Sequence, residues 1–220
     1  MRSARAGRGA GNGGEAYRNS PLWDNLGVPS ATKEVEEVKD VEVRNIEKVM
    51  FDMDGVWVSW QVTALELWIA ETGCPMTIVE LNRHGPFHDW VEEYHKRDDV
   101  FATLPAMPDV MELVQLVYDL ESAGIEVGFL TACGATSNSE LARMHADKSY
   151  WLTKYLPDNE RQVITVMKSE EKYQYANPGV VLVDDFDNNC KQWLDSGGRA
   201  VLHKNATQTR FELKQLIPNL

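Results

Sequence analysis

Asp52 and Asp54 stand two residues apart in Phe51-Asp52-Met53-Asp54-Gly55-Val56, directly after the apolar run Lys48-Val49-Met50-Phe51. Carboxylates at that spacing can divide two jobs. One attacks phosphorus while the other donates a proton to the leaving oxygen. A strand ending at Phe51 puts Asp52 at the carboxyl edge of a sheet, and Gly55 permits a sharp departure. Taken alone, the pair reads equally well as an acidic turn after a strand. A second pair, Asp184-Asp185, follows another apolar run, Val180-Val181-Leu182-Val183. Several carboxylates gathered at one edge repel each other unless a cation sits among them, and hard oxygen donors favour Mg²⁺. Thr131 follows Gly128-Phe129-Leu130. Its hydroxyl, with the backbone N–H groups that follow at Ala132 and beyond, can hold a phosphate oxygen. Lys172, in Glu170-Glu171-Lys172-Tyr173, can offset the repulsion between a phosphate and the carboxylates, and Lys168 competes for that role.

These residues need elements to position them. Five apolar runs read as buried strands: Lys48 to Phe51, Ile125 to Leu130, Gln162 to Val166, Val180 to Val183 and Ala200 to Leu202. Between them lie helical patterns. Val110, Leu113, Val114, Val117 and Leu120 form a stripe opened by Pro108-Asp109 and stopped by Gly124; Leu141 to Tyr155 and Asn188 to Leu194 supply two more. Strands alternating with helices imply a parallel sheet covered on both faces. The expected fold is a three-layer α/β sandwich with a central parallel, Rossmann-like sheet. The segment between the first two strands is too long for a simple crossover and is rich in aromatics. It is expected to form a small helical cap over the sheet's carboxyl edge, where ligands bind in open α/β sheets. The organisation is therefore a disordered, Gly-rich tail over residues 1–20, a lead-in over 21–45, a core over 46–56 and 108–220, and the cap over 57–107.

The ordered set of strand-ending D-x-D-G, Thr, Lys and D-D resembles the four motifs of the haloacid dehalogenase (HAD) superfamily of phosphohydrolases, over about residues 46–205. That resemblance implies Asp52 as nucleophile and Asp54 as acid and base, with Thr131 and Lys172 gripping the phosphoryl group. It implies Mg²⁺ on Asp185, supported by Asp184, together with Asp52 and the backbone carbonyl of Asp54. A finer similarity is to 5'(3')-deoxyribonucleotidases and their viral relatives. It is carried by Phe51 to Val56, by Phe101-Ala102-Thr103-Leu104-Pro105-Ala106-Met107-Pro108, and by Leu182-Val183-Asp184-Asp185 followed by Trp193 and Gly197-Gly198. The chain departs from that group at Val58-Ser59-Trp60 and at Thr131-Ala132-Cys133. The implied substrate is a nucleoside 5'-monophosphate, gripped at Thr131, Ala132 and Lys172. Of the cap aromatics, Trp57, Trp60, Phe87 and Trp90 are candidates to stack on its base, with packing inside the cap as the alternative reading of each and Trp57 and Trp60 placed nearest the cleft.

Composition narrows the partners. The 220 residues carry a formal net charge of -12, which repels nucleic-acid backbones and anionic membranes. A small phosphorylated substrate is the expected ligand; long nucleic acid and membrane are not, and a homodimer is left open. The rival readings are a polynucleotide 3'-phosphatase and a non-catalytic scaffold of the same fold. Cys74, Cys133 and Cys190 show no metal-binding spacing and read as reduced thiols, which fits a cytoplasmic protein, although Arg2, Arg5 and Arg8 make a transit peptide conceivable. Cys133 reads as pocket wall. His84 and His88 read as structural or solvated, because Gly85-Pro86 breaks any continuous helix between them.

Overall fold

The computed structural model describes residues 45–81, 84–97, 99–158 and 161–220. The expected tail, and the lead-in up to residue 44, lie outside the described residues. Five strands, β1 (Lys48–Phe51), β2 (Glu126–Ala132), β3 (Gln162–Val166), β4 (Val180–Asp184) and β5 (Arg199–Leu202), form one all-parallel sheet in the order β3-β2-β1-β4-β5. This is the α/β architecture expected. Side chains alternate across the sheet, and both faces are buried. Val49, Phe51, Val127, Phe129, Val181 and Val183 enter one core cluster; Met50, Leu130 and Leu182 enter the other. Strands buried on both faces read as unbroken apolar runs, so runs of only three to six residues mark them.

The helices are α1 (Trp60–Thr72), α2 (Ile78–Leu81), α3 (Gly85–His95), α4 (Val100–Thr103), α5 (Val110–Ser122), α6 (Asn138–Thr153), α7 (Asp187–Asp195) and α8 (Ala206–Leu216). On one face of the sheet, α5, α6 and α8 contribute Leu113, Leu120, Met144, Trp151 and Leu213 to the larger cluster. Trp193 of α7 fills the smaller one. Ser137 starts α6 by accepting the Glu140 N–H, and the Glu140 carboxylate reaches back to the N–H and hydroxyl of Thr136. Reciprocal bonds of this kind satisfy donors that a helix start leaves open. The last helix, α8, was not anticipated. Its signal was present in Ala206, Thr209 and Leu213, which are buried at helical spacing, and in Asn205, which caps it by accepting the Gln208 N–H at 2.9 Å.

α1 to α4 all lie between β1 and β2 in the chain. Ala64, Trp68 and Phe87 form a separate small core there, flanked by Trp60 and Trp90. His84 takes a structural part, its Nδ1 accepting the Phe87 N–H at the start of α3. Among the described residues, no helix is long and apolar enough to cross a membrane.

Candidate active site

β1 is the central strand, and the chain steps from it to β2 on one side and later to β4 on the other. In open α/β sheets this change of direction opens a crevice beyond the carboxyl ends of the strands. Asp52 follows β1 directly, and Asp184 ends β4. The Asp52 N–H donates to Val183 O at 2.8 Å, extending the pairing past the strand end. Between Met53 and Val58 the chain doubles back, with Trp57 and Val58 N–H groups both donating to Met53 O. Gly55 makes this possible with φ +80°, and it also sits where a Cβ would lie 2.1 Å from Asp185 Oδ2. The turn is therefore closed to any side chain, because the second acidic pair presses against it.

Lys172 is 2% exposed, and its Nζ lies 2.9 Å from Asp52 Oδ1 and 2.7 Å from Asp184 Oδ2. The short 3-10 segment Ser169–Tyr175 delivers it. Burial alone would push the ammonium down, but Asp52 and Asp184 together hold it above its usual range. Lys168, the competing candidate, is exposed at the rim. Asp184 is fully buried and saturated: besides Lys172 it accepts the Phe186 N–H at 2.9 Å and Asn189 Nδ2 at 3.1 Å. Asp185 remains partly exposed. Burial, then repulsion from Asp52 and Asp184, pushes its carboxyl up to about 7.

Asp52, Asp184 and Asp185 bring oxygens within 4.8 Å of one another. With Asp54 they make four carboxylates around two buried ammonium groups, Lys172 and Lys148. The deficit of positive charge and the purely oxygen donor set fit a hard divalent cation such as Mg²⁺.

Asp54 takes a different course. Its side chain turns to Lys148 on α6, with Oδ2 2.6 Å from Nζ. Burial pushes the Asp54 carboxyl up, with Asp52 adding to the effect and Lys148 opposing it. Lys148 is 1% exposed and also donates to Thr131 Oγ1 at 2.8 Å and Ala132 O at 3.0 Å. Sequence reading missed it, because a lysine within a polar helix is ordinarily solvated. A signal did exist: Met144, Lys148, Trp151 and Leu152 share one buried helical face.

A pocket of about 520 Å³ opens beside Asp54, lined by Trp60, His95, Phe101, Ala132 and Lys168 among others. A second, of about 310 Å³, is reached by Asp185, Gly55 and again Trp60. Trp60 therefore borders both. It stacks on Tyr94 with centroids 5.9 Å apart. Trp57 corrects an expectation. It is fully buried in the main core, edge-on to Phe51 at 5.8 Å and Phe129 at 5.5 Å, so no ligand can stack on it. The turn at Met53 to Val58 points it inward. Cys133 is buried, and burial pushes its thiol up, which fits a pocket wall. His95, also missed, packs against Trp60 and Phe101; burial, then Lys148 and Arg143, push its imidazole down to about 4, so it is neutral at physiological pH.

No family model and no curated protein matches the chain. Among solved structures it is similar to a HAD family hydrolase from Deinococcus radiodurans with bound phosphate and sodium, at 14% identity and TM-score 0.45 over 75% of this chain and 87% of that one. It is also similar to L-2-haloacid dehalogenase from Xanthobacter autotrophicus with chloropropionic acid covalently bound (15%, TM-score 0.44, 70% and 76%). A third is D,D-heptose 1,7-bisphosphate phosphatase from Burkholderia thailandensis (11%, TM-score 0.41, 77% and 98%). Likenesses of this degree leave the reading of the site to its own geometry.

Proposed function

We propose that the chain is a Mg²⁺-dependent phosphomonoester hydrolase of the HAD type, acting through an aspartyl-phosphate on Asp52, with nucleoside 5'-monophosphates as substrates. The observation that carries this reading is the separation of two neighbouring carboxylates onto two different buried lysines. Asp52 shares Lys172 with Asp184, while Asp54 pairs with Lys148 and faces the larger pocket. Two acids in distinct environments suit distinct roles. Asp52 attacks phosphorus, and the bond to the leaving oxygen breaks as Asp54 delivers a proton to it. Asp54 then takes a proton from water as that water attacks the acyl phosphate, which returns Asp52 and releases inorganic phosphate. Lys172 neutralises the phosphoryl oxygens, and Thr131 with the backbone around Ala132 orients them. Asp52, Asp185 and the Asp54 carbonyl would hold Mg²⁺, with Asp184 buttressing Lys172. The ion would supply charge neutralisation at the phosphoryl group.

A nucleotide is favoured by the aromatic wall of the pocket, where Trp60 is the partly exposed indole available for a base. The net charge of -12 opposes a polynucleotide substrate. The deciding measurement is phosphate release from a panel of mononucleotides, a base-free sugar phosphate and a 3'-phosphorylated oligonucleotide, with and without Mg²⁺. Hydrolysis of the mononucleotides is expected. Preference for the oligonucleotide would make it an end-processing phosphatase, and no release from any ester would leave a binding scaffold.

A further inference from the structure

We infer that Lys148 is a positioning residue for Asp54, holding the proton-transferring carboxylate in one orientation; the inference rests on the reading of Asp54 as acid and base. A lysine ammonium has three N–H donors. In Lys148 all three have acceptors, Asp54 Oδ2 at 2.6 Å, Thr131 Oγ1 at 2.8 Å and Ala132 O at 3.0 Å. None is left for a phosphoryl oxygen. Lys172 differs, because among the described residues its Nζ contacts Asp52 and Asp184 alone, which leaves one donor for substrate. The two buried lysines thus do different work. Lys172 can touch the phosphoryl group, while Lys148 acts through Asp54 and Thr131.

The geometry at Asp54 agrees. With Oδ2 tied to Lys148, Oδ1 is buried and has no hydrogen-bond partner among the described residues, and Asp54 lines the pocket of about 520 Å³. A carboxylate free to spin about its Cβ–Cγ bond would present either oxygen; the bond to Lys148 removes that choice. The post itself is rigid. Lys148 lies over the Phe101 ring at 4.6 Å, and α6 is fastened on both sides of it. Arg143 Nη1 donates to Arg97 O at 2.9 Å, Trp151 Nε1 to Leu104 O at 2.7 Å, and Lys154 Nζ to Ala102 O at 2.6 Å. Groups that transfer protons gain from neighbours whose own rotamers are locked in this way.

The test compares leaving groups. An alkyl oxygen must be protonated as it departs, whereas a dinitrophenolate leaves unaided, so acid positioning matters only for the first. The full chain carrying Lys148→Met, and separately Lys148→Gln, is checked for folding by circular dichroism. kcat/KM is then measured on dinitrophenyl, phenyl and alkyl phosphates. For Lys148→Met we expect about a hundredfold loss on the alkyl ester and a loss within about tenfold on the dinitrophenyl ester, the span general acid catalysis commands. Lys148→Gln, which keeps a donor, should recover part of the alkyl rate. If Lys148→Met does not fold, Lys148→Gln carries the same comparison. Equal losses across the series in a folded variant would overturn the inference. So would failure of both variants to fold while Asp54→Asn folds, since Lys148 would then serve the fold alone. A wild-type chain inactive on every ester would instead overturn the phosphatase reading.

Discussion

The two buried lysines sit at the same sheet edge, yet their surroundings differ in kind. Lys172 comes from a short 3-10 segment and lies between two carboxylates at strand ends, Asp52 and Asp184. Lys148 comes from the middle of a long helix and lies between one carboxylate, one hydroxyl and one carbonyl. One nest is strongly acidic and needs further positive charge. The other is balanced and complete. A continued strand would put carboxylates two residues apart on one face; they acquire separate chemistry because the chain turns between Met53 and Val58 and each carboxylate meets a different cation.

The sharpest way to break this comparison is to remove the carboxylate proposed as the nucleophile in the acidic nest. Asp52→Asn should abolish turnover, because an amide cannot form the acyl phosphate. The fold should survive, since one source of repulsion is gone. Normal turnover by a folded Asp52→Asn protein would end the assignment. Next in size is Asp185→Ala, which should raise the Mg²⁺ requirement steeply or eliminate activity. Calorimetric titration with Mg²⁺ should show weakened binding, and undiminished activity of the native chain in excess chelator would show that the acidic nest holds no required metal.

A smaller effect separates the pocket from the core. Trp60→Ala should cost roughly ten- to a hundredfold in kcat/KM for a nucleotide and much less for a base-free phosphate, if an indole–base stack contributes ~1–3 kcal/mol. Trp57→Ala should instead lower stability by about 3–5 kcal/mol, the range for emptying a buried aromatic site. Urea unfolding of both variants checks the contrast. Equal kinetic losses on both substrates for folded Trp60→Ala would reduce Trp60 to packing.

The smallest expected effect is on stability against pH. His95 faces Trp60, Phe101, Lys148 and Arg143, and its imidazole is lowered to about 4 from 6.5. The unfolded chain therefore binds the proton more readily, and stability rises with pH across that window. The contribution is full above pH 6.5 and is lost as pH falls toward 4. Denaturation midpoints of the native chain and His95→Gln should converge at acid pH in that interval; parallel profiles would show that His95 does not titrate there.

Much of this was legible in the chain itself. The strands could be read because a parallel sheet buried on both faces demands continuous apolar runs, and the acids could be placed because they follow those runs immediately. Asp52, Thr131, Asp184 and Asp185 are properties of strand ends, and a strand end is local. α8 was missed although its capping Asn205 and its buried spacing were visible.

What tertiary structure alone decided is which distant groups meet. Lys148 is 94 residues from Asp54, and the apolar spacing around it marks a buried helical face but not which carboxylate its ammonium meets. That Lys172 is buried against Asp52 and Asp184 while Lys168 stays exposed depends on how the 3-10 segment Ser169–Tyr175 packs. The fates of Trp57 and Trp60, three residues apart, depended on a reversal that Gly55 permits. Composition and periodicity encode which residues prefer burial and where chains must turn. Pairing between buried charges is set by the packing of elements far apart in sequence, where desolvation makes each unmatched charge costly and each matched one specific.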